Sequence, residues 1–529
     1  MLALLLAVST AVAAENQRPG APDWEITSPA LHQEIEGYAS RTSVNAGEPI
    51  ELLVSTRAAR YTIDVFRMGW YAGAGARRVA EPIVRAGIAQ EIPPPDPVTG
   101  LVECAWRDPY RLDTHDESGP WPSGIYLARL TTTPAGPERK GLQPSAAIQS
   151  VGLQSFIVFV VRDDGRASAL LFQSSVTTFA AYNNWGGKSL YGFNSSNAPA
   201  RKVSFDRPYA TNPYGVSLDG AGDFLRRWEY NAVRFLEREG YDVSYATDVD
   251  THARPIVDSG SPLRHRVFLS VGHDEYWSSP MREHVESARD RGVHLAFLGA
   301  NVCFWQIRFE PSARGAANRT IVGYKEVAGD LDPLALDGRP QNDHLITGRW
   351  RDRPTSRPED QLVGVMSVAD RVDADIVVSQ ADHWAFAGTG LKNGDAMRGL
   401  LGYEVDAMSG DGPERIVRLA HSPFPDQGAQ GRTHYADMTI YTAASGALVF
   451  ATGSIQWSWG LDAYNAPTWH TPRANDAARA LTRNVLDRML QTDASARRAG
   501  MGWARTTIVV LASLLTIAFV LLAWIWRRM

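Results

Sequence analysis

Along the chain the spacing of apolar residues changes once, near position 162. From Trp24 to Val161 apolar residues alternate in the β manner, with Ile50, Leu52 and Val54 in one run and Tyr61, Ile63 and Val65 in the next. Gly124-Ile125-Tyr126-Leu127 and Phe156-Ile157-Val158-Phe159 supply later strands, and the Pro-rich stretch between Ile92 and Gly124 is an irregular excursion. This predicts an antiparallel, Ig-like β-sandwich over 24–161. After the polar hinge Arg162 to Arg166, short strand-like runs alternate with helical ones, the pattern of a parallel sheet with crossover helices over 162–490. The expected strands are Ala169–Phe172, Asp242–Tyr245, Arg266–Val271, Val293–Leu298, Ile376–Ser379 and Leu448–Ala451. The expected helices are Phe224–Glu239, stopped by Gly240, one opened by Ser279-Pro280 and stopped by Gly292, and Ala474–Met489. Phe309 to Gln361 shows little periodicity and reads as a covering loop region.

Both ends carry apolar runs. Leu2 to Val8, followed by Ala11-Val12-Ala13-Ala14, reads as a signal peptide over 1–14, although no basic residue precedes it. Ile508 to Trp526 carries no charge and ends on Trp524, Trp526, Arg527 and Arg528, which predicts a transmembrane helix over 508–526 behind a polar stalk at 491–505. Together they imply a membrane-anchored protein whose body is extracytoplasmic, at the periplasm or cell surface. A tail-anchored cytoplasmic protein is the alternative topology, because Arg497, Arg498 and Arg505 match the basic tail.

Composition narrows the function more than the fold. With 44% hydrophobic and 21% charged residues the chain is globular, and a formal net charge of −5 without basic blocks argues against a nucleic-acid partner. The two cysteines, Cys104 and Cys303, support neither a disulfide framework nor a Cys-rich metal site. There is no G-x-S-x-G elbow, H-E-x-x-H helix, P-loop or strand-to-helix G-x-G-x-x-G.

What remains is polar and aromatic punctuation just past strand ends, where open parallel sheets bind ligands. His273-Asp274-Glu275-Tyr276-Trp277 is the densest cluster. In an extended segment His273 and Glu275 project to one side, within reach of a common ligand or metal; a loop closed by its own hydrogen bonds is the equal alternative. Asn301 follows the next strand and either faces the same cavity or serves a turn. Tyr182 and Tyr191 flank Gly186-Gly187 and can line a pocket, supply phenolate ligands or simply pack.

The order Ala181-Tyr182-Asn183-Asn184-Trp185-Gly186-Gly187-Lys188-Ser189-Leu190-Tyr191, Gly272-His273-Asp274-Glu275-Tyr276-Trp277 and Gly299-Ala300-Asn301 resembles the C-terminal region of the N,N-dimethylformamidase large (beta) subunit. The resemblance implies an Ig-like sandwich and a parallel α/β domain similar to class I glutamine amidotransferases (ThuA-like). It also implies a mononuclear iron, ferric from its hard ligands, held by two tyrosines and a glutamate, and hydrolysis of an amide C–N bond. On this sequence Glu275 matches the carboxylate ligand, His273 the neighbouring base and Asn301 the asparagine. The implied tyrosines are Tyr191 and Tyr230, with Tyr182 as the alternate. A small-molecule substrate follows, and room is left for a homo-oligomer or a small partner subunit. The competing reading is a catalytically inert surface module that recognises a carbohydrate or polymer through Trp457 and Trp459.

Overall fold

The computed structural model describes residues 10–133, 152–211, 219–257, 264–425, 432–464 and 473–490. The N-terminal strands form two sheets. One has the order Ile35–Ala39, Pro49–Thr56, Tyr110–Asp113. The other runs Ser43–Asn45, Gln154–Arg162, Gly124–Thr132, Arg60–Met68, Ala76–Arg78, with Ile83–Ala86 added along Arg60–Met68. Alternation explains the packing. Ile50, Leu52 and Val54 from the first sheet meet Ile63, Val65 and Ile157 from the second in one apolar core, while Glu51 between them faces solvent.

Gln154–Arg162 leads through a short turn into Leu170–Ser174, the second strand of a seven-stranded sheet. Its order is Val243–Thr247, Leu170–Ser174, Val267–His273, His294–Ala300, Leu448–Ala451, Thr433–Thr442, Val417–Pro425. The first five strands are parallel, in register from Leu170↔Val267 to Phe297↔Ala451, and the last two turn antiparallel. The helix Ser279–Asp290 crosses between two of the parallel strands. Ser278 caps it, one residue earlier than Ser279-Pro280 suggested, Pro280 sits in its first turn, and Gly292 leaves it at φ 97°.

The expected architecture therefore needs correcting. The domain after residue 162 is not a simple parallel α/β sheet, and a glutamine-amidotransferase fold is not what the chain shows. The main sheet is mixed, and further sheets stand beside it. Ile376 lies in a long hairpin, Met366–Val377 with Ala396–Ala407, outside the parallel strands. The region read as loop, 309–361, contributes Thr320–Val322 to a four-stranded sheet with Lys202–Ser204, Trp305–Glu310 and Tyr276–Ser278. Ile376 is in a strand as expected, but the hairpin it belongs to and the strand Thr320–Val322 are not marked by a sustained period of two, because these strands are bulged or short.

The membrane reading is corrected as well. Among the described residues no helix is long and apolar enough to cross a membrane. The expected span, 508–526, and stalk, 491–505, lie outside the described residues, as does 1–9 of the expected signal. The small residues read as a cleavage site are folded onto the body: Ala11–Glu15 is a short helix, Val12 is buried, and Glu15 pairs with Arg77 and accepts a hydrogen bond from Tyr71. Membrane-anchored and extracytoplasmic placement rested on those two end segments and is not carried forward.

One buried acid ties the N-terminal sheets to the region that carries the site. Glu36, on Ile35–Ala39, accepts a hydrogen bond of 2.7 Å from the indole of Trp185. Burial pushes its pKa up from 4.5 to about 7, with the Trp185 bond offsetting part of the rise. Between those values the native carboxyl holds a proton that the unfolded chain has released. Its contribution to stability is therefore complete below pH 4.5 and is lost as pH rises towards 7. Urea midpoints at pH 5 and pH 8 are expected to differ less in Glu36→Gln than in the parent; an unchanged pH dependence would show that Glu36 is ionised in the native state throughout.

Candidate active site

The site is built at the C-terminal ends of Val267–His273 and His294–Ala300, neighbours in register from Val267↔His294 to His273↔Ala300. Gly272 makes the last turn possible. Its φ is 70°, and a Cβ there would meet the Cβ of Trp228 at 2.2 Å, so only glycine lets Trp228 close over the strand end. Trp228 is placed by a π-helical turn, Phe224–Trp228, that precedes the helix Tyr230–Arg238 where one continuous helix was expected.

Beyond Gly272 the side chains alternate. Asp274 points into the scaffold and accepts hydrogen bonds from Gln173 (2.7 Å), Ser270 (2.8 Å) and the Trp277 indole (2.8 Å). His273 and Glu275 project the other way: His273 Nε2 lies 3.2 Å from Glu275 Oε2. The backbone N–H of Glu275 is fixed by Thr178 Oγ1, and its carbonyl accepts from the N–H groups of Phe304 and Trp305.

Around Glu275 three phenols converge. Tyr182 Oη donates to Glu275 Oε2 (2.9 Å), and Tyr191 Oη lies 3.0 and 3.1 Å from the two carboxylate oxygens and 2.7 Å from Tyr182 Oη. Tyr276 Oη donates to Tyr191 Oη at 2.6 Å. The Tyr182 and Tyr191 rings stack with centroids 4.1 Å apart. Burial, then the Glu275 charge, raises all three phenols well above their usual range.

On the other flank sits a carboxylate that no sequence motif indicated. Glu404 Oε2 is 3.1 Å from His273 Nε2 and accepts a 2.9 Å hydrogen bond from Asn301 Nδ2. Asp406, two residues on, accepts from the backbone N–H of Asn301 at 2.8 Å; burial raises its pKa to about 7. Both come from the Ala396–Ala407 strand of the long hairpin. Their i, i+2 spacing in Glu404-Val405-Asp406 is the signal that marks two carboxylates on one face. Burial alone would lower the His273 pKa, but Glu404 and Glu275 outweigh it and hold the imidazolium well above its ordinary range. Burial opposes the Glu275 charge too, yet His273, Lys325 and Tyr182 bring its pKa below the usual value. Asn301 takes a left-handed backbone conformation, φ 55°, and its buried Oδ1 has no hydrogen-bond partner.

The structure thus brings His273, Glu275, Asn301, Tyr182 and Tyr191 together. It does not bring Tyr230. That phenol donates to the Gly75 carbonyl (2.7 Å) and its ring packs among Trp24, Phe224 and Tyr464, so it serves the core; Tyr182, the alternate, stands beside Tyr191 instead. Trp457 and Trp459 are buried, the second stacked on Trp228 at 5.1 Å, and neither offers a platform to a carbohydrate or polymer. Among the described residues no set of three or more His, Cys, Asp or Glu side chains is arranged to hold a metal. The converging oxygens of this site are largely phenolic.

A family model described as N,N-dimethylformamidase beta subunit-like, C-terminal, matches residues 62–471. Two curated relatives are the N,N-dimethylformamidase beta subunits of Alcaligenes sp and Paracoccus aminophilus. Each is 24% identical, over 310 and 318 residues, which is 51% and 50% of this chain. The matches cover 38% and 37% of the relatives, well under half their length. The family match takes in all of the converging side chains, from Tyr182 to Asp406, and on that extent the chain belongs to the N,N-dimethylformamidase beta subunit-like C-terminal family.

Proposed function

We propose that this chain hydrolyses an amide C–N bond, in the manner the names of its relatives indicate, with a ferric ion held by Tyr182, Tyr191 and Glu275. One observation carries the reading: two phenols and a carboxylate converge beside an imidazolium that is itself held between two carboxylates. Hard, anionic oxygen donors suit ferric iron, so the residues present fit the group. When bound, iron would act as a Lewis acid towards the amide oxygen and lower the pKa of a bound water.

The chain's own residues supply the proton traffic. His273, kept protonated by Glu404 and Glu275, delivers the Nε2 proton to the departing nitrogen. Water adds to the carbonyl carbon, the C–N bond breaks, the nitrogen leaves as an amine with the His273 proton, and a proton from the water restores the imidazolium. Glu404 fixes the Asn301 amide, so the orphaned Oδ1 is left to accept a hydrogen bond from substrate or water. The relatives are named as subunits, so a partner chain belongs to the same reading.

Elemental analysis and a visible absorption spectrum of the full chain test it. One iron per chain and a tyrosinate-to-iron absorption band are expected, both lost in Glu275→Ala. A well-folded, colourless protein that takes up no iron on reconstitution would overturn the metal site.

A further inference from the structure

Lys325 is a buried cation that the proposed chemistry does not use. It is 8% exposed, and among the described residues no hydrogen bond or ion pair reaches its Nζ. The ammonium instead lies over two aromatic faces, 3.4 Å from the ring centroid of Tyr191 and 4.8 Å from that of Trp305. The backbone is held for this placement: Lys325 sits at φ 60°, a left-handed conformation that costs a non-glycine residue energy, and its N–H is tied to the Thr347 carbonyl at 2.8 Å. The Glu275 and Glu326 charges act on this ammonium, but neither forms an ion pair with it, so its hydrogen-bonding capacity is open to a further anion.

The space for that partner is next to it. Lys325 and Trp305 line a cavity of about 200 Å³, room for a small organic acid and not merely a single water. Its other charged walls are Arg349 and Arg353 against Glu326 and Asp352. Arg349 pairs with Asp352 at 2.7 Å, which leaves Lys325 and Arg353 facing Glu326 and a net positive lining. Lys325 also belongs to the candidate active site through its contact with Tyr191, and Trp305 through its backbone N–H on the Glu275 carbonyl.

We propose that the substrate is an amide bearing a carboxylate, and that Lys325 holds that carboxylate in this cavity while the amide lies at Glu275 and His273. The assignment rests on the hydrolase reading for the amide, and on Lys325 and the cavity for the charge. A neutral formamide would leave the ammonium with no hydrogen-bonded anion, only the charges of Glu275 and Glu326 that do not pair with it. A carboxylate there forms a charge-assisted hydrogen bond in a largely desolvated setting, where such bonds are strong.

The test compares N-acetylglycine with its neutral counterpart N-acetylglycinamide on the full chain, by calorimetric binding and by amine release, in the parent and in Lys325→Met. The parent is expected to bind N-acetylglycine at least about tenfold more tightly, as one charge-assisted contact implies, with the preference gone in Lys325→Met. Equal binding of the two ligands by the parent overturns the proposal without recourse to any variant, and so does a preference that survives Lys325→Met. Preferential binding without amine release would leave the carboxylate site standing and remove the hydrolase reading. Release from both ligands at equal efficiency would do the reverse.

Discussion

Glu237→Ala is expected to lower the free energy of unfolding by about 3–5 kcal/mol, the usual cost of stripping one partner from a buried ion pair. Glu237 lies on the helix Tyr230–Arg238 and Arg67 on Arg60–Met68, and both side chains are completely buried. The pair is bidentate, at 2.8 and 3.0 Å, and the remaining capacity of the carboxylate is taken by Tyr245 Oη (2.9 Å) and Asn16 Nδ2 (2.8 Å). Alanine leaves the Arg67 guanidinium without an anion, holding only the carbonyls of Ser123 and Met68 and the Tyr71 hydroxyl. The pair spans the N-terminal sheets and the region that carries the active site, so its loss should loosen both. Denaturant unfolding followed by tryptophan fluorescence measures the effect. The double variant Arg67→Met, Glu237→Met should recover much of the loss, because neither member of the pair is then left as an uncompensated buried charge. A cost under about 1 kcal/mol for Glu237→Ala would mean that the pair is solvated in solution.

His273→Ala is expected to lower kcat for amide hydrolysis by about 10²–10⁴-fold, the range for a lost general acid–base group, with a much smaller change in KM. The reason is its position. Nε2 lies between Glu275 and Glu404, at 3.2 and 3.1 Å, and those two charges keep a proton on a ring that burial would otherwise strip. Because Tyr182, Tyr191 and Glu275 are left in place, iron content and the visible band should persist in this variant. That separates proton delivery from metal binding, which Glu275→Ala removes. A His273→Ala protein with parental kcat would exclude His273 from the chemistry, whatever its effect on stability.

Where a stretch of sequence has a strong local period, it determined the structure found. The alternation of Ile50, Leu52 and Val54 sets which face of Pro49–Thr56 is buried, and the short apolar runs at Val267–Val271 and Leu295–Leu298 are interior strands, as their length and bounding residues suggest. Side-chain alternation past Gly272 likewise sends His273 and Glu275 one way and Asp274 the other, so part of the site is legible in five consecutive letters.

The rest was decided by contacts between segments far apart in the chain. Glu404 and Asp406 reach Asn301 from about a hundred residues away on a bulged hairpin, and a bulge breaks the period that would have announced the strand. Tyr182 and Tyr230 look alike as aromatic residues near polar ones. Only the packed chain shows the first with its phenol on Glu275 and the second with its phenol on the Gly75 carbonyl. Lys325 lies in a stretch without periodicity, and its meaning comes from the rings of Tyr191 and Trp305 beneath it. Local sequence fixes which way a side chain leaves the backbone; which other segment it meets depends on how sheets and hairpins close around a shared core, and that information is spread over the whole chain.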